Sequence, residues 1–424
     1  MMVFILKGLI RDRSRSLFPL TVIALGVAVT VILHAWLGGI LDDMIKANAS
    51  YRTGHVKITT RAYAEQADQA PTDLALFQVG ELITRLNEQF PDCWWLPRTR
   101  FGGLLDIPNI RGETLAQGPV VALAVSLLEE QSPELETLNL ETALVRGSMP
   151  RNPGEILVSE ALAAKMGLRL GETATFIGST AFGSMTTYNF TFTGSIRFGV
   201  EAMDRGAIIL DIEDARNLLD LEDASAEILG LFKDDRYRPK RADAIKDAFN
   251  AQYGESDDPF SPVMAGIRDQ KGLAGMLQAL NARLSMVVGL FVFVMFIILW
   301  NAGLMGSLRR YGEIGVRLAL GEEKKRLYGT LLLEALIIGL VGSALGTVLG
   351  LSAGFYLQKY GIDVGTMMQN ASAMMPNVMR ARVTSQSYLI GFLPGVVATL
   401  LGAAVSGAGI FKRDTSQLFK ELEV

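Results

Sequence analysis

Apolar and polar positions are segregated, rather than mixed, along this 424-residue chain. Leu17–Leu41 carries no Asp, Glu, Lys or Arg over 25 positions. Leu284–Gly306 is a second such run, rich in Phe, Val, Met and Ile. Leu327–Leu357 is a third, interrupted only by Glu334, and Ser387–Phe411 is a fourth. A helix rises about 1.5 Å per residue and roughly 20 residues cross the hydrocarbon of a bilayer, so each run is long enough to span. Four uncharged runs of this length are foreign to the interior of a soluble protein.

Between the first two runs the pattern changes to short alternating segments. It predicts strands at His55–Thr60, Gly102–Ile107 and Pro119–Ser126, and a helix over 72–89 with an Asp/Thr start. From about 140, glycine punctuates shorter strands: Glu155–Ser159, Glu172–Ile177, Met185–Gly194 and Gly206–Asp211. Helices are expected at Glu160–Met166, 213–220 and Arg238–Tyr253, with a strand at Glu227–Phe232 and a stalk near 270–283. The fold class expected is an α-helical membrane protein with four transmembrane helices. A large α+β extracytoplasmic domain, 42–283, stands between the first and second. In it an α/β subdomain is built from both ends of the segment, with a mainly β insertion at about 140–222.

The remaining boundaries are a basic amphipathic segment at 1–16 with Pro19 opening the first span (17–41), spans at 284–306, 327–357 and 387–411, loops at 307–326 and 358–386, and a tail at 412–424. The first run reads as an uncleaved anchor, because it is much longer than a signal h-region of about 7–15 residues.

Charge orients this plan. Lys7, Arg11, Arg13 and Arg15 flank the first run, and Arg309, Arg310, Arg317, Lys324, Lys325 and Arg326 fill the 307–326 loop. Lys412, Arg413 and Lys420 follow the last run, whereas the longer 358–386 loop has only Lys359, Arg380 and Arg382. The excess of positive charge puts both termini and the short loop in the cytoplasm and the large domain outside. The expected location is a bacterial inner membrane.

Little in the chain suggests catalysis. The single cysteine, Cys93, cannot form an intrachain disulfide. No glycine-rich loop ends in Lys-Ser or Lys-Thr to cradle phosphates, and Gly342–Gly350 lies inside a span without a lysine. The two histidines, His34 and His55, are not at metal-ligand spacing. The reading is no catalytic residue, no metal, no cofactor bound by this chain and no nucleic-acid partner.

The most informative stretch is Arg310–Leu327, RYGEIGVRLALGEEKKRL. It predicts a short helix with Ile314, Leu318 and Leu320 on an apolar side, a Glu313–Arg317 pair one turn apart, and Gly321 as its stop. A membrane-surface connector is one reading; a rigid knob that docks into a cytoplasmic partner is the sharper one.

The same stretch resembles the coupling-helix signature of ABC-transporter permeases of the macrolide-exporter and lipoprotein-releasing (FtsX-like) type. The residues that carry the resemblance are Arg310, Glu313, Ile314, Gly315, Val316, Arg317, Leu318, Ala319 and Gly321, followed by Leu331–Ala335. Residues 54–59, 154–176 and 192–221 are most similar to the lipoprotein-releasing branch, and the order of one span, a large domain and three spans is similar throughout.

The resemblance implies a permease that pairs with a second permease chain, of the same or another kind. It implies a separate cytoplasmic ATPase that holds the ATP and Mg. The coupling helices would pass the ATPase motion through the second span and stalk to the outer domain. Lipoprotein or lipid cargo would be taken from the outer leaflet into a cavity lined by Trp36, Phe291, Phe293, Met295 and Phe296, with a periplasmic chaperone or adaptor as a further partner. An exporter of small amphiphiles or peptides, or a transmitter that activates a periplasmic partner, are the alternative functions.

Four further features accompany this plan. Glu334, about 10 Å into its span, reads as an intramembrane polar contact that steadies the coupling region. Gly342, Gly346, Gly350 and Gly354 form a four-residue ladder suited to close helix approach. Gly391 and Gly395 around Pro394 mark a kink or close packing in the fourth span. Five methionines at 367, 368, 374, 375 and 379 read as an interfacial hairpin, with contact to greasy cargo or a soft metal as alternatives.

Overall fold

The computed structural model describes residues 13–109, 111–129, 132–198, 201–234, 236–253, 258–270, 273–308, 311–363 and 378–412. They divide into a helical unit (13–42, 278–363 and 378–412) and a sheet domain centred on 43–277. Among the described residues, four helices are long and apolar enough to cross a membrane.

The strands of the sheet domain are β1 (Val56–Thr60), β2 (Leu76–Phe77), β3 (Cys93–Pro108), β4 (Thr114–Val125), β5 (Leu144–Gly147), β6 (Glu155–Ser159), β7 (Thr173–Ser179), β8 (Met185–Ile196), β9 (Ala207–Asp211), β10 (Ala224–Ser225), β11 (Glu227–Phe232) and β12 (Pro262–Gly266). Ten of them form one mixed sheet in the order β12-β1-β11-β3-β4-β9-β6-β8-β5, with β7 pairing β3 and β8. β3 joins the two ends of the domain. Its first half pairs with β11, from Cys93↔Phe232 to Arg98↔Glu227, and its second half with β4, from Thr99↔Ala124 onward.

Each half has its own core. Val56, Ile58, Trp95, Ile228 and Phe232 pack beneath Leu82, Leu86, Ile245 and Phe249 of the helices Val79–Gln89 and Pro239–Tyr253. Phe101, Leu105, Phe176, Phe190 and Phe192 pack with Leu162, Leu218 and Leu219 of the helices Glu160–Met166 and Ile212–Leu219. The second core therefore begins near residue 101, and the β3–β4 hairpin belongs with the β-rich part that the pattern placed at about 140–222.

Among the strands that escape the sequence pattern, the first half of β3 and β12 do so for physical reasons. Residues 93–101 contain Pro97, Arg98 and Arg100, which argue against a buried strand. The structure pairs those charges across long separations: Arg98 forks onto Glu134 at 2.9 and 2.7 Å, and Arg100 reaches Glu227 at 2.7 Å. β12 opens with a proline and lies at the sheet edge beside β1. The helix expected over 72–89 begins only at Val79, after a left-handed Gln78 (φ 54°).

Glu227 also accepts from Tyr63 Oη at 2.8 Å and pairs with Lys57 at 3.0 Å, all inside the domain. Burial would raise the Glu227 pKa, but Lys57 and Arg100 outweigh it and hold the carboxyl at about 2. Burial pulls the Lys57 ammonium the other way, toward its neutral form. Arg100 beside it is a permanent cation, so the ionised carboxylate is the state the cluster favours.

In the helical unit the long helices are Arg13–Asn48, Leu273–Leu308, Lys324–Tyr360 and Phe392–Lys412; they are called first to fourth. Pro19 lies inside the first helix and does not open it. The first helix starts upstream, and proline removes only the bond it would donate to Arg15. Pro394 sits in the first turn of the fourth helix, after the short turn Ser385–Tyr388, so it starts that helix rather than kinking it. Ile362–Asp363 and Val378–Met379 pair antiparallel. Of the five methionines, 367, 368, 374 and 375 lie outside the described residues.

Candidate functional site

At the glycine ladder the third helix lies directly against the first. A Cβ added at Gly342 would stand 2.9 Å from Ile23, at Gly346 2.5 Å from the Ala24 carbonyl, and at Gly350 2.7 Å from Val31. Each of these glycines therefore lets the third helix meet the backbone of the first. Gly354 continues the row toward Val383. From the fourth helix side, Gly391 and Gly395 close on Val27, which is 1% exposed. The first, third and fourth helices meet around that valine.

Contacts toward one end of the spans reinforce the block. His34 Nδ1 lies 3.1 Å from Ser387 Oγ, the Arg382 amide donates to the Ala35 carbonyl at 2.8 Å, and Arg382 pairs with Asp42.

The second helix is different. Only 6% of its apolar window is buried within the chain, against 39%, 33% and 39% for the other three. Its contact is local: Val292, Met295, Phe296 and Leu299 line a narrow crevice against Gly26, Val27, Thr30 and Pro394. Met295 and Phe296, expected to face cargo, are half-buried against the first helix. Phe293 is exposed and Phe291 and Trp36 are half-buried. The five residues do not share one cavity within a single chain.

The short helix Tyr311–Ala319 follows the second helix. Arg310 lies outside the described residues, as do the side chains of Glu313 and Ile314, whose backbone is helical. Gly315 is buried and Ala319 is exposed. Leu318 packs against Leu327 and Leu331 of the third helix and Ala403 of the fourth, so the helix is seated on their ends.

Gly321, at φ 90°, ends it. Its amide donates to Leu318 O at 3.0 Å and the Glu322 amide to Arg317 O at 3.1 Å, the paired bonds of a left-handed glycine cap. The side chain of Glu313, expected to pair with Arg317, lies outside the described residues; Arg317 forks onto Glu322 at 2.8 and 2.9 Å. The cap explains this, because it folds the residue after the glycine back beside position 317. Leu320 lies past the helix end and is 83% exposed, outside the apolar side assigned to it.

Glu334 is half-buried in the third helix, one position before Ala335, which packs on the Leu327–Leu331 cluster. It therefore stands beside the seat of the short helix.

Comparisons with known proteins bear on these two regions. Residues 285–415 match the family model described as FtsX-like permease C-terminal, which takes in the second, third and fourth spans and the short helix. An uncharacterized ABC transporter permease of Methanocaldococcus jannaschii is 25% identical over 203 residues, 48% of this chain and 50% of that protein. The macrolide export ATP-binding/permease protein MacB of Brucella abortus is 28% identical over 143 residues, 34% of this chain and 21% of that protein. These matches thus span half or less of either relative's length. The periplasmic region of MacB from Actinobacillus actinomycetemcomitans aligns with 54% of this chain and 95% of its own length, at 10% identity and a TM-score of 0.37.

Proposed function

We propose, taking the FtsX-like permease domain of residues 285–415 as the premise, that this chain is the permease subunit of an ATP-driven ABC transporter. A separate ATPase would dock on the short helix Tyr311–Ala319 from the cytoplasmic side, and a second permease chain would complete the membrane part. The observation that carries this reading is the seat of the short helix. Leu318 is wedged against Leu327, Leu331 and Ala403, so a push on the helix bears directly on the third and fourth helices. The glycine ladder then hands the displacement to the first helix, because backbones in contact move together.

The cargo we propose is acylated: lipoproteins, or other lipids drawn from the outer leaflet. The bare apolar face of the second helix supports this, since Met286, Leu290 and Phe293 offer a surface that acyl chains can wet. Trp36 and Phe291 would contribute once two chains face each other. The ATP and Mg belong to the partner ATPase. The Brucella relative, by its name a macrolide exporter, favours the second reading, an exporter of small amphiphiles working with a periplasmic adaptor.

Co-purification in mild detergent with the ATPase from the same genome neighbourhood tests both levels. ATP turnover is measured with and without a triacylated lipopeptide. We expect stimulation by the lipopeptide and its loss in Glu313→Lys. Turnover indifferent to lipopeptide moves the reading to the exporter, and failure of any ATPase to associate removes the permease reading.

A further inference from the structure

The short helix carries an arginine that is already engaged within the chain. The cap at Gly321 turns the backbone so that positions 317 and 322 stand side by side, a geometry in which the two side chains are commonly apolar. Here they are Arg317 and Glu322. Nε donates to Oε2 at 2.8 Å and Nη2 to Oε1 at 2.9 Å, a two-point fork with planar complementarity. Glu322 is two residues before the third helix begins at Lys324, so the fork spans the corner between the short helix and the third helix. The neighbouring residue, Leu318, is the one wedged on Leu327 and Leu331.

We infer that Arg317 is a positioning residue: it sets the angle of the corner through Glu322 and does not itself meet the ATPase. This inference rests on the permease reading and refines it. A docking helix transmits a push only if it cannot swivel at its far end. Leu318 resists sliding across the seat, and the fork resists opening of the corner. An arginine is suited to this role because two parallel hydrogen bonds fix an orientation that a lysine point charge cannot. The fork is partly exposed, at 44% for Arg317 and 27% for Glu322, so its removal weakens the corner without unfolding the helix.

A charge-exchange cycle in the full chain, purified with its ATPase, tests the inference. Arg317→Glu and Glu322→Arg are each expected to lower maximal ATP turnover about two- to five-fold, the range open to a partly exposed pair. The KM for ATP should stay unchanged and the ATPase should still co-purify. The double exchange, which rebuilds the pair in reverse, should recover most of the loss. If Arg317→Glu releases the ATPase and the double exchange does not restore it, Arg317 is a direct contact and the inference is overturned.

A second measurement needs no ATPase. In a Cys93→Ala background, spin labels at the exposed positions Val316 and Lys325 report the corner by dipolar broadening. The single exchanges should widen the distance distribution and the double exchange should narrow it again. An unchanged distribution in the single variants overturns the brace. Should no ATPase bind the parent chain, it is the permease reading that fails, while the spin labels still decide the role of Arg317.

Discussion

The sheet domain and the helical unit enclose their residues by opposite means. In the domain large side chains are fully buried: Arg98, Tyr63, Phe176, Phe190 and Phe192 are each less than 2% exposed. Water expels their surface, and the charges among them are accepted because partners wait at hydrogen-bond distance. In the helical unit backbones approach closely where there is no side chain, at Gly342, Gly346 and Gly350. Lipid tails are as apolar as leucine, so burying apolar area has little force there and van der Waals fit decides which helices associate.

The second and third helices make the contrast within a single unit. Their mean hydropathies are close, 2.5 and 2.1, yet 6% of one window is buried and 33% of the other. Small residues at four-residue spacing distinguish them, not greasiness. The second helix has Gly289 with nothing near its Cα side, and bulky residues on most of its surface.

The largest effect should come from breaking the rule of the sheet domain. Glu227→Ala leaves Lys57 and Arg100 buried without their carboxylate and is expected to cost about 3–5 kcal/mol. Thermal unfolding of the full chain followed by tryptophan fluorescence, with Trp94 and Trp95 on β3 as reporters, measures it. The pH dependence has a definite sign. A carboxyl held at about 2 when folded, against 4.5 for its ordinary value, stabilises the domain above roughly pH 4.5. That contribution fades as pH falls toward 2. The variant should lack this part of the acid sensitivity; equal slopes for both proteins would show that the cluster does not favour the charged form.

An intermediate effect tests the helical unit. Gly346→Leu forces a side chain onto the Ala24 carbonyl and Val27, and should destabilise the three-helix block by about 1–3 kcal/mol, as overpacking does. The expected readout is a lower melting temperature of the detergent-solubilised protein by size-exclusion profile. A variant as stable as the parent would mean that the first and third helices do not meet at the ladder.

The smallest effect sharpens the contrast. Leu290, 62% exposed on the second helix, should tolerate alanine within about 0.5 kcal/mol in the same assay on the isolated chain. A loss above about 1 kcal/mol would mean that this face is covered by protein rather than lipid.

How much was legible beforehand follows the reach of each interaction. The helix Glu160–Met166, with Ser159 capping Leu162 and left-handed Gly167 closing it, was readable because cap and stop lie within a few residues. The short helix and its stop at Gly321 were readable for the same reason. The fork of Arg317 onto Glu322 was not, since only the turn at Gly321 brings Glu322 round.

By itself, the sequence determined the features whose physics is local. These are the four apolar runs, the small-residue ladder, the caps and most of the strands that alternate. Tertiary structure alone decided what depends on distant partners. It made 93–101 a buried strand, because Glu134 and Glu227 lie 36 and 127 residues from Arg98 and Arg100 and neutralise them only when folded. It also chose Ile23, Ala24, Val27 and Val31 as the surface that the ladder meets, and left the second helix largely bare. Hydropathy says that a helix enters the membrane, but only the shapes of two surfaces brought together say which helices touch.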